Sequence, residues 1–337
     1  MSPPDARTAV HGDTAGGPPG PVPIPPSLAE GAGSTPAGAA WLDRLPGLVH
    51  RAVARWHLQL SEPFGVGTAA WTAPGTTADG TPVVLKISFP HDEAKYEAAA
   101  LRMWHGLAAV ELLDQHEQDW ALLLRRAHPG TPMLHEATPA PARLQAGLDV
   151  LANLHGAPLT EHVPSQVEVS AYWAGLATER AARWAHLYPD AVEPIHWGVE
   201  LLRAFGSPGA MPGPTVLLHG DLNPGNVLLD APHGRTGHWL AIDPKPMAGD
   251  PGYDLWPLLS QLDQPFRYPD PPAEIAARVR LAETTLGVPA RRICEWALAR
   301  SVESILWQWE TWQDPARQAR TRDDLYQVQL WAGLLRH

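Results

Sequence analysis

The sequence predicts an α+β protein with two lobes, a small N-terminal lobe built on an antiparallel sheet and a larger, mainly helical C-terminal lobe. Between residues 57 and 124, short apolar runs alternate as half-buried strands do and are separated by turn signals. From about residue 129 onward, apolar residues recur at helical spacing instead. Apolar residues make up 45% of the 337 residues, so the chain can bury a core in each lobe.

The first 21 residues are predicted to be a disordered tail. This segment is rich in proline and glycine and nearly free of large apolar side chains, so it cannot bury enough surface to offset the entropy lost on ordering. Residues 22–40 continue the same composition. We place the N-lobe at residues 22–127 and the C-lobe at residues 128–337.

The N-lobe combines helices with a sheet. A helix is predicted over residues 46–56, because Pro46 suits a first turn, where its missing N–H is not needed. A second helix is predicted over residues 91–105. The alternating and apolar runs predict strands over residues 57–60, 69–72, 82–87, 110–113 and 120–124.

The C-lobe is predicted to be mainly helical, with one hairpin inside it. The hairpin lies between Asp221 and Asp243, where two apolar runs flank a turn segment. The helical spacing of apolar residues predicts helices over residues 141–155, 169–187, 191–205, 272–286, 291–312 and 322–335. A sheet lobe joined to a helical lobe leaves a cleft at the seam, where a nucleotide would bind.

Composition and charge exclude several classes of function. The formal net charge of −11 argues against a nucleic-acid binder, because phosphate contacts need a basic surface. The same charge is compatible with a cationic substrate, although it also serves solubility. The single cysteine, Cys294, cannot form an intrachain disulfide, and no apolar run reaches the roughly 18 residues of a membrane span. The N-terminus lacks the pattern of a secretory signal, so a cytoplasmic location is expected. The protein is expected to be a monomer or a homodimer.

The most informative stretch begins LHGDLNPGNVLLD at Leu218 and continues to HWLAIDP. It places Asp221 in a loop, Asn226 at the start of a hairpin and Asp243 at its end. Phosphoryl transfer from a magnesium nucleotide needs one carboxylate at the acceptor hydroxyl and two oxygen ligands for the metal, all near one point. This spacing therefore predicts a small-molecule kinase.

Each of these three residues also has a plainer interpretation. Asp221 could cap a turn after a strand, Asn226 could be an ordinary residue of a Pro-Gly-Asn turn, and Asp243 could end a strand before a proline. Their combination at defined offsets favours the catalytic interpretation. Asp254, which follows in GDPGYD, is interpreted as a buried brace for the catalytic loop.

A lysine in an apolar strand supports the same chemistry. Lys86 stands in VVLKI, where its charge needs a partner. In a kinase such a lysine holds the α- and β-phosphates and pairs with a glutamate on the next helix. Glu97 is the preferred partner, with Glu93 one turn away as the alternative. The turn that contains Gly65 and Gly67 could bring backbone amides close to phosphate, although glycines in a hairpin turn usually serve the turn alone.

At these residues the chain resembles the aminoglycoside phosphotransferase family, in its streptomycin 6-phosphotransferase and hydroxyurea phosphotransferase branch. The motifs that carry the resemblance are VVLKISFPHDEAKYEAAALRMW (83–104), LLLRRAHPGTPML (122–134), HGDLNPGNVL (219–228) and WLAIDPKPMAGDPGYDLWPLL (239–259). The resemblance extends from about residue 22 to the C-terminus and implies a protein-kinase-like fold. It also implies ATP and Mg²⁺ as cofactors.

The resemblance assigns roles to individual residues. It implies that Asp221 is catalytic, that Asn226 and Asp243 bind the metal, and that Lys86 binds phosphate. It places the adenine against the segment from Leu124 to Ala127, which includes Arg126. One departure concerns Arg125, since similar sequences often carry glutamate there.

The acceptor is expected to be a small hydroxylated molecule, most simply an aminoglycoside such as streptomycin. Trp307 and Glu310 are predicted to line its pocket, because tryptophan faces stack on sugars or cations and carboxylates pair with ammonium or guanidinium groups. These tryptophans could equally be core residues at helical spacing. A kinase of an amino sugar or another sugar metabolite is the alternative, and a nucleotide-binding regulator without transfer activity is the more remote one.

Overall fold

The computed structural model describes residues 21–209, 213–231, 237–311 and 321–336. Nearly all of the predicted tail at residues 1–21 lies outside the described residues. Within them, an antiparallel sheet in the N-terminal third is followed by a mainly helical region, so the α+β architecture is confirmed. The division into lobes between residues 127 and 128 stays a prediction.

The N-terminal helical segment begins earlier than the sequence predicted. Helix α1 (Pro26–Glu30) and helix α2 (Pro36–Trp56) occupy the region that was expected to extend the tail. Thr35 caps α2, because its side chain accepts a hydrogen bond from the N–H of Gly38 at 3.0 Å. Pro46 therefore lies inside the helix, and its placement in a first turn was wrong. The packing of Trp41 and Leu45 in the core outweighs the hydrogen bond that the proline cannot make.

Five antiparallel strands form the N-terminal sheet in the order β1-β2-β3-β5-β4. Side chains of β3 alternate between the two faces. Val83, Leu85 and Ile87 pack into a core with α1 and α2, whereas Lys86 lies on the opposite face. The strands are β1 (Gln59–Leu60), β2 (Ala70–Thr76), β3 (Pro82–Ser88), β4 (Leu112–His116) and β5 (Ala121–Arg125).

Helix α3 (Glu97–Trp104) lies between β3 and β4 and covers the face that carries Lys86. It is shorter than the predicted helix over residues 91–105, because a separate 3₁₀ turn (Ala94–Tyr96) precedes it. The break makes Glu97 the first residue of α3, where its side chain is buried.

The helical region contains seven helices within the described residues. They enclose a second hydrophobic core that also takes in α3 and one face of the sheet. The sequence analysis did not predict α7, which begins directly after Asp254. The helices are α4 (Ala140–His155), α5 (Gln166–Trp184), α6 (Val192–Phe205), α7 (Leu255–Gln261), α8 (Pro271–Leu286), α9 (Ala290–Thr311) and α10 (Thr321–Arg336).

Two small sheets lie between the large sheet and these helices. The predicted hairpin is present as β8 and β9, and the sequence analysis missed the three strands that surround it. The strands are β6 (Pro129–Pro132), β7 (Val216–Leu218), β8 (Val227–Asp230), β9 (His238–Ala241) and β10 (Met247–Gly249). Strand β8 lies between β6 and β9, and β7 pairs with β10. No helix in the described ranges is long and apolar enough to cross a membrane.

Candidate active site

Three oxygen-bearing residues converge at the open end of the β8–β9 hairpin. The N–H of Ile242 donates to the carbonyl of Asn226 at 2.9 Å, which places Asp243 next to Asn226. The side-chain amide of Asn226 donates to the backbone carbonyl of Asp221 at 3.0 Å. Asp221, Asn226 and Asp243 therefore occupy adjoining positions, although 22 residues separate the first from the last along the chain.

The donor atoms of this group suit a magnesium ion. The bond from Asn226 Nδ2 to Asp221 orients the amide and leaves its Oδ1 for another partner. Asp243 has a left-handed backbone with φ of 56°, and its side chain is 58% exposed, so a carboxylate oxygen is accessible. Mg²⁺ prefers carboxylate and amide oxygens together with phosphate and water. The residues present thus fit the metal that the sequence predicted.

Lys86 connects this group to the N-terminal sheet. Its buried ammonium lies 2.7 Å from both carboxylate oxygens of Glu97 and 2.6 Å from Oδ1 of Asp243. Burial opposes the charge, but the two carboxylates outweigh it and raise the pKa of Lys86. Lys86 in turn lowers the pKa of Asp243. Lys86 is therefore protonated at neutral pH, and the structure pairs it with Glu97 and not with Glu93.

Asp254 braces the loop that carries Asp221. Its fully buried carboxylate accepts the backbone N–H groups of His219 at 2.8 Å and Gly220 at 2.7 Å, and it contacts His155 Nε2 at 2.9 Å. Burial opposes its ionisation, yet the hydrogen bond and charge of His155 keep the pKa of Asp254 below the ordinary value. The sequence-based interpretation of Asp254 as a buried brace is confirmed.

Gly220 permits the close approach of a second chain segment. Its φ is 85°, and a Cβ atom there would lie 2.0 Å from the carbonyl oxygen of Lys245. The N–H of Lys245 donates to the carbonyl of His219 at 2.8 Å. Only glycine fits this position, so the loop before Asp221 and the segment after Asp243 are held in direct contact.

His219 joins the two segments and does not act as a base. Burial lowers its pKa, so the ring is neutral. Its Nδ1 accepts the N–H of Asp221 at 3.3 Å, and Nε2 lies 3.0 Å from the carbonyl of Ile242. Because a neutral imidazole has one donor and one acceptor, the proton is on Nε2. His219 thus fixes the backbone of Asp221 relative to β9.

Two further side chains at the loop were missed by the sequence analysis. Lys245 Nζ lies 3.4 Å from Asp221 Oδ2 and 3.3 Å from Glu93 Oε2. Arg300, on α9, donates to the carbonyl of Gly220 at 3.2 Å and stacks on Tyr253. Each residue had a signal in the sequence. Lys245 lies between two prolines in IDPKP, and Arg300 lies in the mainly apolar run ALARSV.

The predicted nucleotide-binding residues lie in and around the N-terminal sheet. Gly65 and Gly67 lie in the exposed loop between β1 and β2, and the hydroxyl of Ser27 donates to the carbonyl of Gly65 at 3.2 Å. Leu124 is buried in β5. Arg126 is exposed, and its N–H donates to the carbonyl of Pro82 at 3.3 Å. Their contacts with phosphate and adenine stay predictions.

Arg125, where the chain departs from similar sequences, has a local partner. Its guanidinium contacts Glu111 at 2.6 Å and 2.7 Å. The charge of Arg125 is therefore balanced at the edge of the sheet.

The structure holds Glu310, one of the two predicted acceptor residues, away from Asp221, and the role of Trp307 stays a prediction. Glu310 is engaged by Arg183 and Trp184 of α5. It lies ten residues beyond Arg300, or about 15 Å along the helix axis. Trp307 is 42% exposed on the same helix. The acidic side chain that α9 places nearer the loop is Glu303, which the sequence analysis did not select.

A lysine of an antiparallel sheet that contacts an aspartate next to a hairpin in the helical region is an arrangement found in the protein-kinase-like small-molecule phosphotransferases. The comparisons with known sequences narrow this class. The sequence model of the aminoglycoside/hydroxyurea antibiotic resistance kinases matches residues 55–311, and the chain belongs to that family. It is accordingly an O-phosphotransferase that acts on small molecules, and the resemblance and fold predicted from the sequence are confirmed.

Relatives and solved structures agree with this assignment. The chain is 32% identical over 295 residues to a streptomycin 6-kinase of Streptomyces glaucescens, covering 86% of this chain and 91% of that one. It is 36% identical over 281 residues to a hydroxyurea phosphotransferase of Kitasatospora aureofaciens, with coverages of 81% and 76%. Amicoumacin kinase hAmiN, solved with AMP-PNP and Ca²⁺, shares the fold with a TM-score of 0.58 at 14% identity and coverages of 83% and 92%.

Proposed function

We propose that this protein transfers the γ-phosphoryl group of Mg-ATP to a hydroxyl of a cationic aminoglycoside, with streptomycin as the leading acceptor. The observation that carries the proposal is the convergence of Asp221, Asn226, Asp243 and Lys86 in one place. Phosphoryl transfer depends on such positioning and on charge neutralisation more than on strong acid or base groups. Because the reaction uses ATP, we propose that the protein works in the cytoplasm.

Each residue of the site has a distinct task in this proposal. Asp221 accepts a hydrogen bond from the acceptor hydroxyl and aligns its oxygen with the γ-phosphorus. A bond forms between that oxygen and phosphorus, the bond from phosphorus to the β,γ-bridging oxygen breaks, and the hydroxyl proton passes through Asp221 to solvent. Lys86 moves from Asp243 to the α- and β-phosphates. Asn226 and Asp243 would hold Mg²⁺, which supplies neutralising charge at the triphosphate.

The charges beside Asp221 favour a cationic acceptor. Burial raises the pKa of Glu303, and its nearest basic partner in the described structure, Arg180, lies 3.7 Å away. Arg300 and Lys245 also act on Glu303 but do not bring its pKa back to the ordinary value. A guanidinium group of streptomycin would stabilise the charged form of Glu303 beyond what Arg180 and Arg300 provide. Hydroxyurea is small and uncharged and would not form an ion pair with Glu303.

A panel of acceptors tests the proposal. The purified protein is incubated with Mg-ATP and streptomycin, hydroxyurea or glucosamine, and ADP release and phosphorylated product are measured together. Turnover of streptomycin above the other two supports the proposal. Preferred turnover of hydroxyurea or of the amino sugar would replace the acceptor, and binding of Mg-ATP without turnover of any acceptor would favour a regulator instead.

A further inference from the structure

Lys245 lies between two carboxylates that come from different parts of the fold. Its ammonium is 3.4 Å from Oδ2 of Asp221 on the catalytic loop and 3.3 Å from Oε2 of Glu93, just before α3. The side chain is 43% exposed, so it is accessible to solvent. None of the roles assigned above to the nucleotide, the metal or the acceptor uses this lysine.

The backbone of Lys245 is fixed relative to Asp221. Its N–H donates to the carbonyl of His219, and its carbonyl packs against Gly220. Pro244 and Pro246 flank it and restrict the chain further. The position of the ammonium relative to the Asp221 carboxylate is therefore set by the same contacts that build the loop.

The carboxylate of Asp221 has few other side-chain contacts among the described residues. In the parts of the chain that the structure describes, the other side-chain contact of its carboxylate is Asn223 Nδ2 at 3.4 Å, which is long for a hydrogen bond. The bonds from His219 and Asn226 reach the backbone of Asp221 and not its carboxylate. A charged partner on Oδ2 would leave Oδ1 to meet the acceptor hydroxyl.

We propose that Lys245 positions the Asp221 carboxylate for transfer and that Glu93, from the segment before α3, anchors Lys245. Glu93 and Glu97 lie one turn apart on one short segment, and Glu97 holds Lys86. The segment from Glu93 to Glu97 thus connects the lysine of the nucleotide site to the lysine of the catalytic loop. Lys245 acts through Asp221 and is a positioning residue.

Replacement of Lys245 with methionine keeps the length of the side chain and removes its charge. With the acceptor identified by the panel above, we expect kcat to fall about 10- to 100-fold, the range expected when a reacting group is misplaced. The affinity for Mg-ATP should not change, because Lys86 and Asp243 are intact. K245R should recover part of kcat. R55M, which removes one positive charge at an exposed site on α2, is the control and should retain wild-type kcat.

Glu93 allows the pair to be tested as a unit. E93Q should lower kcat less than K245M, and it should add nothing in the K245M background, because the two residues share one interaction. Additive effects, or a kcat of K245M equal to that of R55M, would overturn the inference. A loss of kcat in K245M that K245R does not relieve would also count against it.

This inference rests on the proposed function, and hydrogen exchange separates the two. We expect K245M and E93Q each to increase backbone exchange in residues 91–96 and to leave α9 unchanged, whether or not an acceptor is known. If the wild type turns over no acceptor, the proposed function fails, and the exchange at residues 91–96 still decides whether Lys245 anchors this segment. Unaltered exchange there in both variants would refute the anchoring.

Discussion

The carboxylate of Asp254 offers the sharpest test of how the catalytic loop is held. The change Asp254→Asn keeps the shape of the side chain and removes its charge. The wild-type oxygens accept two backbone N–H groups at 2.8 Å and 2.7 Å and contact His155 at 2.9 Å. An asparagine can offer one carbonyl oxygen, so its NH₂ group must face either a backbone donor or His155.

The size of the effect follows from these three contacts. A buried donor left without an acceptor costs about 1–3 kcal/mol, and a hydrogen bond to a charged group contributes about 1.5–3 kcal/mol. Because the contacts share one carboxylate, these costs overlap, and we expect the free energy of unfolding to fall by about 3–5 kcal/mol. For a chain of this size the melting temperature should drop by about 4–7 °C.

Thermal and urea unfolding of the two proteins measure this difference. Asp149→Asn, an exposed site on α4, is the matched control and should change stability by less than about 0.5 kcal/mol.

The pKa of Asp254 is lowered in the folded protein, so its contribution to stability is complete above the unfolded value of about 3.9 and is lost as pH falls through the folded value. The difference in unfolding free energy between the wild type and Asp254→Asn should therefore decrease in acid. An Asp254→Asn protein as stable as the wild type at pH 7 would refute the role of Asp254 as a brace for the catalytic loop.

Three further outcomes follow from the same geometry. Gly220→Ala should destabilise the fold by at least about 2 kcal/mol and abolish transfer, because its Cβ would meet the Lys245 carbonyl at 2.0 Å; calorimetry and turnover check this. Asp243→Ala should weaken binding of Mg-ATP, and calorimetric affinity equal to wild type would contradict its metal role. Burial raises the pKa of the Cys294 thiol to about 12, so native protein at pH 8 should react with a thiol reagent only slowly and unfolded protein at once.

The sequence allowed the fold class and the central residues of the site to be predicted because both depend on local signals. Strand alternation and turn residues indicated the sheet, and the offsets from Asp221 to Asn226 and Asp243 indicated a loop followed by a hairpin. The partner of Lys86 was predicted with one alternative, since two glutamates share a helical face in the sequence. The 3₁₀ turn before α3 separates them, and this break depends on packing that the pattern does not show.

The errors in prediction arose where distant segments decide the structure. Pro46 has the signature of a helix start, but buried Trp41 and Leu45 extend α2 through it. Strands β7 and β10 have three residues each and exist because they pair with each other. Glu310 and Glu303 lie seven residues apart on one helix, and only the packing of α9 against α5 and the catalytic loop distinguishes them.

The most direct test of the central claim is the transfer rate of Asp221→Asn with nucleotide binding measured in the same preparation. The site geometry predicts that transfer of labelled γ-phosphate to the acceptor falls by about two to four orders of magnitude, while the affinity for Mg-ATP stays at the wild-type value. Transfer at the wild-type rate, with nucleotide binding intact, would contradict the assignment of Asp221 as the group that meets the acceptor hydroxyl.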